Sequence, residues 1–235
     1  NHRQLQRRVI DEGANLGFAF DGDGDRFVAI DDRGKFVAAD FLTALLAQHL
    51  LTKSPDSKVV YDVRSSWAVP DQIKRFNGIP IEEKVGHAFI KKRMATENAI
   101  FGGEVTGHYY FKDFHFVDSG ILPSLILVKT LSELNCSLSA ALAELENTYF
   151  ISGEINMPIK DASQVYAKLR QLEALFNHQA QIEKLDGLSV IFENWHFNVR
   201  PSNTEPLIRL NLEATSKPLL EEKLELVLSL IQNGR

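Results

Sequence analysis

Three carboxylates alternate with glycines in Asp21-Gly22-Asp23-Gly24-Asp25, and Arg26 follows them directly. The glycines permit backbone angles that bring the three side chains together. Two carboxylates ~4 Å apart repel by about 4 kcal/mol at an effective dielectric near 20, so such a cluster is stable mainly around a cation. Hard carboxylate oxygens suit Mg²⁺, Mn²⁺ or Ca²⁺ better than Zn²⁺. Three protein ligands leave coordination positions for water and a phosphate oxygen, and Arg26 adds a second phosphate-facing group. The stretch is not an EF-hand loop. Its sixth position is Arg26, where that loop needs glycine, and its twelfth is Asp32, where it needs glutamate.

A second polar turn, Gly103-Glu104-Val105-Thr106-Gly107-His108, places a carboxylate, a hydroxyl and an imidazole between glycines. Glu104 and Thr106 can hydrogen-bond vicinal sugar hydroxyls, and His108 can donate to an oxygen or move a proton. Val85-Gly86-His87 precedes a helix carrying Lys91, Lys92 and Arg93, whose N-terminus can hold an anion. Arg64, just past a strand, reads by itself as an exposed arginine. The loop Arg200-Pro201-Ser202-Asn203-Thr204-Glu205-Pro206 combines an arginine fork with the short donors Ser202, Asn203 and Thr204, on a backbone stiffened by two prolines. Arg209, on the following strand, reads as a structural partner of that loop.

Positioning these residues requires strand–turn units. Helical patterning covers 3–12, and strands at 16–20 and 27–30 flank the acidic loop. Asp40 is expected to cap a helix over 40–51. Strands at 58–63, 79–85, 99–102 and 108–111 alternate with helices at 67–76, 88–96 and 121–134, a pattern that predicts an α/β layered domain with a mixed sheet. Another helix ends near 147. A strand at 150–157, a helix at 162–176, strands at 179–185, 189–192, 195–199 and 207–214, and a helix at 217–231 then predict a smaller α+β domain with an antiparallel sheet. Asp186-Gly187 is a hairpin signal within it. The expected division is 1–33, 34–149 and 150–235, the first part being too short to stand alone.

The 235 residues carry a net charge of −5, which argues against a nucleic-acid binder. No apolar run reaches the ~18 residues of a membrane span, and no signal peptide is evident. The single cysteine, Cys136, excludes an internal disulfide and fits a reducing, cytoplasmic setting. A chain that begins at Asn1 reads as a processed chain or as a piece of something longer.

Taken together, DGDGDR at 21–26, VGH at 85–87, GEVTGH at 103–108 and RPSNTEP at 200–206 resemble the α-D-phosphohexomutase family, most of all its phosphomannomutase/phosphoglucomutase branch. The resemblance implies that Asp21, Asp23 and Asp25 bind Mg²⁺, that Arg26 lies beside the reacting phosphate, and that Arg64 takes a basic position linked to proton transfer. It places His87 in the catalytic cleft. It implies that Glu104, Thr106 and His108 grip sugar hydroxyls, and that Arg200, Ser202, Asn203 and Thr204 hold the phosphate that is not reacting. The three parts of the chain would be the tail of the metal-binding domain, a sugar-binding domain and a phosphate-binding domain, their loops facing a common hollow. The implied ligands are a hexose phosphate and a hexose bisphosphate, with no nucleic acid and no membrane. The family's phosphoserine motif, with its Ser-His-Asn core, does not occur in these residues. The chain is therefore expected to depend on N-terminal domains that carry that serine. The rival expectations are a non-catalytic sugar-phosphate-binding module and a calcium-binding module.

Overall fold

The computed structural model describes residues 2–159, 163–202 and 205–233. The chain divides into two compact units, Asn1–Glu146 and Asn147–Arg235.

In the first unit, α1 (Arg3–Asp11) leads into a hairpin of β1 (Leu16–Phe20) and β2 (Phe27–Asp31), whose connection is the acidic loop. There follow α2 (Ala39–Lys53), β3 (Lys58–Asp62), α3 (Ala68–Arg75), β4 (Ile79–Glu83), α4 (His87–Glu97), β5 (Phe101–Gly103), β6 (Tyr109–Phe111), β7 (Val117–Asp118), α5 (Ile121–Leu134) and α6 (Leu138–Thr148). The sheet order is β4-β3-β5-β6-β7, with β4 and β5 parallel to β3 and the last pairings antiparallel. Helices cover both faces of the sheet. A Cβ on Gly102 would lie 2.7 Å from Met94 of α4, and one on Gly103 would lie 2.5 Å from Thr43 of α2, so the two helices press on opposite faces. Val59 and Val60 of β3 are both fully buried, as the β-branched residues of a strand covered on both sides should be. This is the layered mixed sheet that the alternating pattern predicts.

The second unit contains β8 (Phe150–Ile151), β9 (Ile155–Pro158), α7 (Ser163–Phe176), β10 (Gln181–Glu183), β11 (Leu188–Ile191), β12 (Trp195–Pro201), β13 (Leu207–Ala214) and α8 (Lys217–Asn233). Its sheet runs β10-β11-β12-β13-β8, with β9 also on β13, and every pairing is antiparallel. Its core joins Phe197, Val199, Leu210 and Leu212 of the sheet to Leu172 and Phe176 of α7 and Val227 and Ile231 of α8. Gly187, at φ +71, turns the β10–β11 hairpin.

Several local expectations change. The strand expected over 150–157 is two strands. Gly153 adopts φ +69 and breaks the run, β8 pairing with Glu213–Ala214 and β9 with Leu207–Leu210. Asp40 does not cap α2, because the helix begins one residue earlier behind Ala38 and the buried Asp40 carboxylate instead accepts the Ser66 amide at 2.8 Å. The short strand β7 is unanticipated, since two residues carry no periodicity. Among the described residues, no single helix is long and apolar enough to cross a membrane.

Candidate functional site

Ligand sites in open α/β sheets sit beyond the carboxyl ends of the parallel strands. Here those ends carry the motifs: Asp62 as the last residue of β3 with Arg64 beyond it, Gly86 and His87 after β4, Glu104 after β5. Asp62 is fully buried and organises this edge. Its Oδ1 accepts the Arg64 amide and Arg64 Nε, both at 2.9 Å, and its Oδ2 accepts Arg64 Nη2 at 2.9 Å and the Val105 amide at 3.0 Å. The Arg64 side chain is 1% exposed, so the arginine expected at the surface is an internal one. Removing both charges of such a pair from water is costly, and fork geometry with full hydrogen bonding is what makes it tolerable.

Glu104 is 3% exposed. Tyr110 donates its hydroxyl to Oε1, and the Gly86 amide donates to Oε2 at 3.2 Å. The VGH turn and the GEVTGH turn are thus tied through one carboxylate. Burial pushes the Glu104 carboxyl up, Tyr110 opposes this, the nearby Asp62 charge adds to it, and the outcome is a raised value. Thr106 is exposed, His108 is half-buried, and His87 is exposed at the start of α4.

The acidic loop is joined to the same edge. The Phe27 amide donates to the Gly107 carbonyl at 3.1 Å, and Arg26 and His108 form an isolated antiparallel bridge. From the other side, the Gly120 amide donates to the Gly24 carbonyl at 3.0 Å. That approach demands glycine, because a Cβ on Gly120 would lie 2.6 Å from the Arg26 carbonyl oxygen and 2.8 Å from that of Gly24. Asp21, Asp23 and Asp25 each offer a carboxylate oxygen, and the three lie within 4.8 Å of one another. Such a convergent, partly exposed set of hard oxygens fits a Mg²⁺-type ion. Burial pushes the Asp25 carboxyl up, the His108 charge pulls it down, and the neighbouring Asp23, Asp21 and Asp118 charges leave it raised. Asp21 behaves differently. Desolvation raises it, but hydrogen bonds from the Arg26 side chain and amide, with the Arg26 charge, hold it down at about 2.

His108 Nδ1 lies 3.0 Å from Asp118 Oδ2 and 3.8 Å from Asp25 Oδ2, and Lys91 Nζ of α4 lies 2.6 Å from Asp118 Oδ1. A carboxylate only accepts, so a neutral His108 carries its proton on Nδ1 and leaves Nε2 as an acceptor.

In the second unit, Arg200 on β12 and Arg209 on β13 are cross-strand partners. Glu154 lies between them, accepting Arg200 Nη2 at 3.2 Å and Arg209 Nη1 at 2.9 Å, while Arg209 Nη2 donates to Ser202 Oγ at 3.3 Å. Asn203 and Thr204 lie outside the described residues.

The structure therefore brings Asp21, Asp23, Asp25, Arg26, Arg64, Glu104 and His108 into one connected region of the first unit, with Thr106 and His87 at its rim. Arg200 and Ser202 gather in the second unit. The residues the sequence reading overlooked are the supports Asp62, Tyr110, Asp118, Gly120 and Glu154. One signal was available: Asp62 ends the apolar run Val59-Val60-Tyr61, where a buried carboxylate needs partners.

Residues 38–149 match the family model described as phosphoglucomutase/phosphomannomutase, alpha/beta/alpha domain III, and residues 154–228 match that of the C-terminal domain of the same family. A phosphomannomutase of Salmonella montevideo is 40% identical over 234 residues, covering 97% of this chain and 50% of that protein. One from Methanocaldococcus jannaschii is 40% identical over 229 residues, with 97% and 50% covered. Among solved structures, a phosphoglucomutase/phosphomannomutase family protein of Burkholderia thailandensis superimposes with a TM-score of 0.85 at 28% identity, covering 100% of this chain and 51% of that one. The chain thus spans about half the length of the relatives it matches.

Proposed function

Because the chain belongs to the phosphoglucomutase/phosphomannomutase family, we propose that it forms the C-terminal part of a phosphohexomutase. The whole protein would interconvert hexose 6-phosphate and hexose 1-phosphate, of mannose, glucose or both, through a bisphosphorylated sugar. The phosphoryl group would come from a phosphoserine on a segment that these 235 residues do not include. We assign residues 1–33 to the tail of a metal-binding domain, 34–149 to the sugar-binding domain and 150–235 to the phosphate-binding domain. The separate β1–β2 hairpin supports the first assignment, since it stands outside the five-stranded sheet.

One observation carries this reading: the acidic loop and the GEVTGH turn are a single hydrogen-bonded piece, joined through Phe27 to Gly107 and braced by Gly120 on Gly24. A loop of converging carboxylates and a turn of hydrogen-bonding groups are thereby held at the carboxyl edge of one sheet. Asp21, Asp23 and Asp25 would hold Mg²⁺, which when bound supplies charge stabilisation to a phosphoryl group in transfer. Arg26, oriented by Asp21, offers donors beside that phosphoryl. Thr106, Glu104 and Nε2 of His108 would meet sugar hydroxyls, with His87 beside them on the rim. Arg64, locked on Asp62, acts through its charge on the turn. Arg200 and Ser202, with Asn203 and Thr204, hold the phosphate that is not reacting. A sugar that turns over between two half-reactions needs hydroxyl contacts that accept both orientations, which a compact pair such as Glu104 and Thr106 can provide.

The test is a mutase assay on glucose and mannose phosphates. The 235-residue chain alone should give no interconversion, and adding the segment that bears the phosphoserine should restore it. Turnover by the pure chain would refute the assignment.

A further inference from the structure

Glu154 sits where the second unit's sheet changes partners. Ser152 is fixed on β13, its amide donating to the Leu212 carbonyl at 2.8 Å and its hydroxyl accepting the Leu212 amide at 2.9 Å. Gly153 then turns at φ +69 and presents Glu154 to the two arginines. Arg200 and Arg209 face one another across β12 and β13 in register, an arrangement that places like charges side by side and is unfavourable by itself. Glu154 gives one oxygen to each, at 3.2 and 2.9 Å, and so spans the pair. The three side chains together carry one formal positive charge in excess. Arg209 Nη2 also donates to Ser202 Oγ, which lies in the phosphate-binding loop proposed above.

We infer that Glu154 is a positioning residue for phosphate binding: its carboxylate bridges Arg200 and Arg209, holds both guanidinium groups in one orientation and, through Arg209, steadies Ser202. This rests on the reading of the Arg200 loop as a phosphate holder. A positioning carboxylate and a competing one make opposite predictions. If Glu154 merely filled the place of a phosphate, removing its charge would tighten anion binding. If it orients the arginines, removing it loosens them and weakens binding despite the added net positive charge.

The experiment titrates inorganic phosphate and glucose 1-phosphate into the full 235-residue chain, unsubstituted and as Glu154→Gln and Glu154→Asp. Binding is followed by calorimetry, and the arginine guanidinium ¹⁵N signals are recorded without ligand. The Glu154 side chain is 23% exposed, so both variants should fold, which the thermal midpoint checks. Glu154→Gln should weaken phosphate binding about tenfold, equivalent to about 1.4 kcal/mol, and narrow the Arg200 and Arg209 signals toward those of mobile side chains. Glu154→Asp keeps the charge but is one methylene too short to span both arginines, and should fall between. Equal or tighter binding by Glu154→Gln overturns the inference while leaving the phosphate reading intact. Failure of the unsubstituted chain to bind either ligand sinks the phosphate reading, and the inference with it.

Discussion

The two charged regions of this protein are built on opposite plans. At the carboxyl edge of the first sheet, Asp62 and Arg64 are buried as a pair, and the Asp62 carboxylate has a donor on every side. In the second unit, one carboxylate is shared between two arginines, and it and Arg209 remain partly exposed. Burial of a balanced set makes scaffold, because nothing further is needed to neutralise it. A partly exposed set with a net formal charge is suited to bind, because a partner can still improve it. The acidic loop belongs with the second plan. Three converging carboxylates leave an unmet negative charge, which the exposed Asp23 and half-buried Asp21 and Asp25 present to solvent.

This contrast predicts that substitutions in the first region cost stability and that those in the second and in the acidic loop cost ligand affinity. The largest effect should come from Asp62→Ala, which leaves the Arg64 charge buried without its fork. Loss of one partner of a buried pair costs about 3–5 kcal/mol, to be read from chemical denaturation. The double variant Asp62→Leu/Arg64→Met should be less damaging than the single one. If Asp62→Ala costs under about 1 kcal/mol, the pair behaves as a surface ion pair and the contrast fails.

Gly120→Ala should come next, at about 1–3 kcal/mol for forcing a methyl against backbone. Because that backbone is the acidic loop, Mn²⁺ affinity measured by water-proton relaxation should fall as well; an unchanged affinity would separate the brace from the ion site. Gly153→Ala should cost about 1 kcal/mol. Space is open around Gly153, so the penalty is one of backbone conformation at φ +69, and a loss well beyond that would mean the turn does more than present Glu154.

The smallest effect concerns pH. The Glu104 carboxyl is raised above its ordinary 4.5 by burial and the Asp62 charge. The folded state then binds this proton more tightly than the unfolded one. Its stabilising contribution is fully present below 4.5 and is lost as pH rises through the folded value. Denaturation midpoints followed upward from pH 4.5 should show this decline, and Glu104→Gln should flatten it. A steeper decline in the variant would place the titrating group elsewhere.

Much of the architecture is legible from composition and spacing. Gly-Asp alternation announces the acidic loop, apolar patterning marks Leu16–Phe20 and Leu207–Ala214 as strands, and Asp186-Gly187 marks its hairpin. These are local signals, arising from backbone sterics and from repulsion between neighbours in the chain. Local propensity fails where a partner far along the chain decides. Asp40 has the side chain of a helix cap, yet it is drawn to the Ser66 amide, 26 residues away. Residues 150–157 read as one strand and divide because β13 pairs them in two registers.

The candidate ligands for a metal, a sugar and a phosphate could be named one by one, since each motif announces its chemistry through residue types that sit side by side. Their supports could not. Nothing in the spacing joins Asp62 to Val105 across 43 residues, or Glu154 to Arg209 across 55. Hydrogen bonds of that kind act over ~3 Å, and only the packing of strands against helices brings such distant residues within that range.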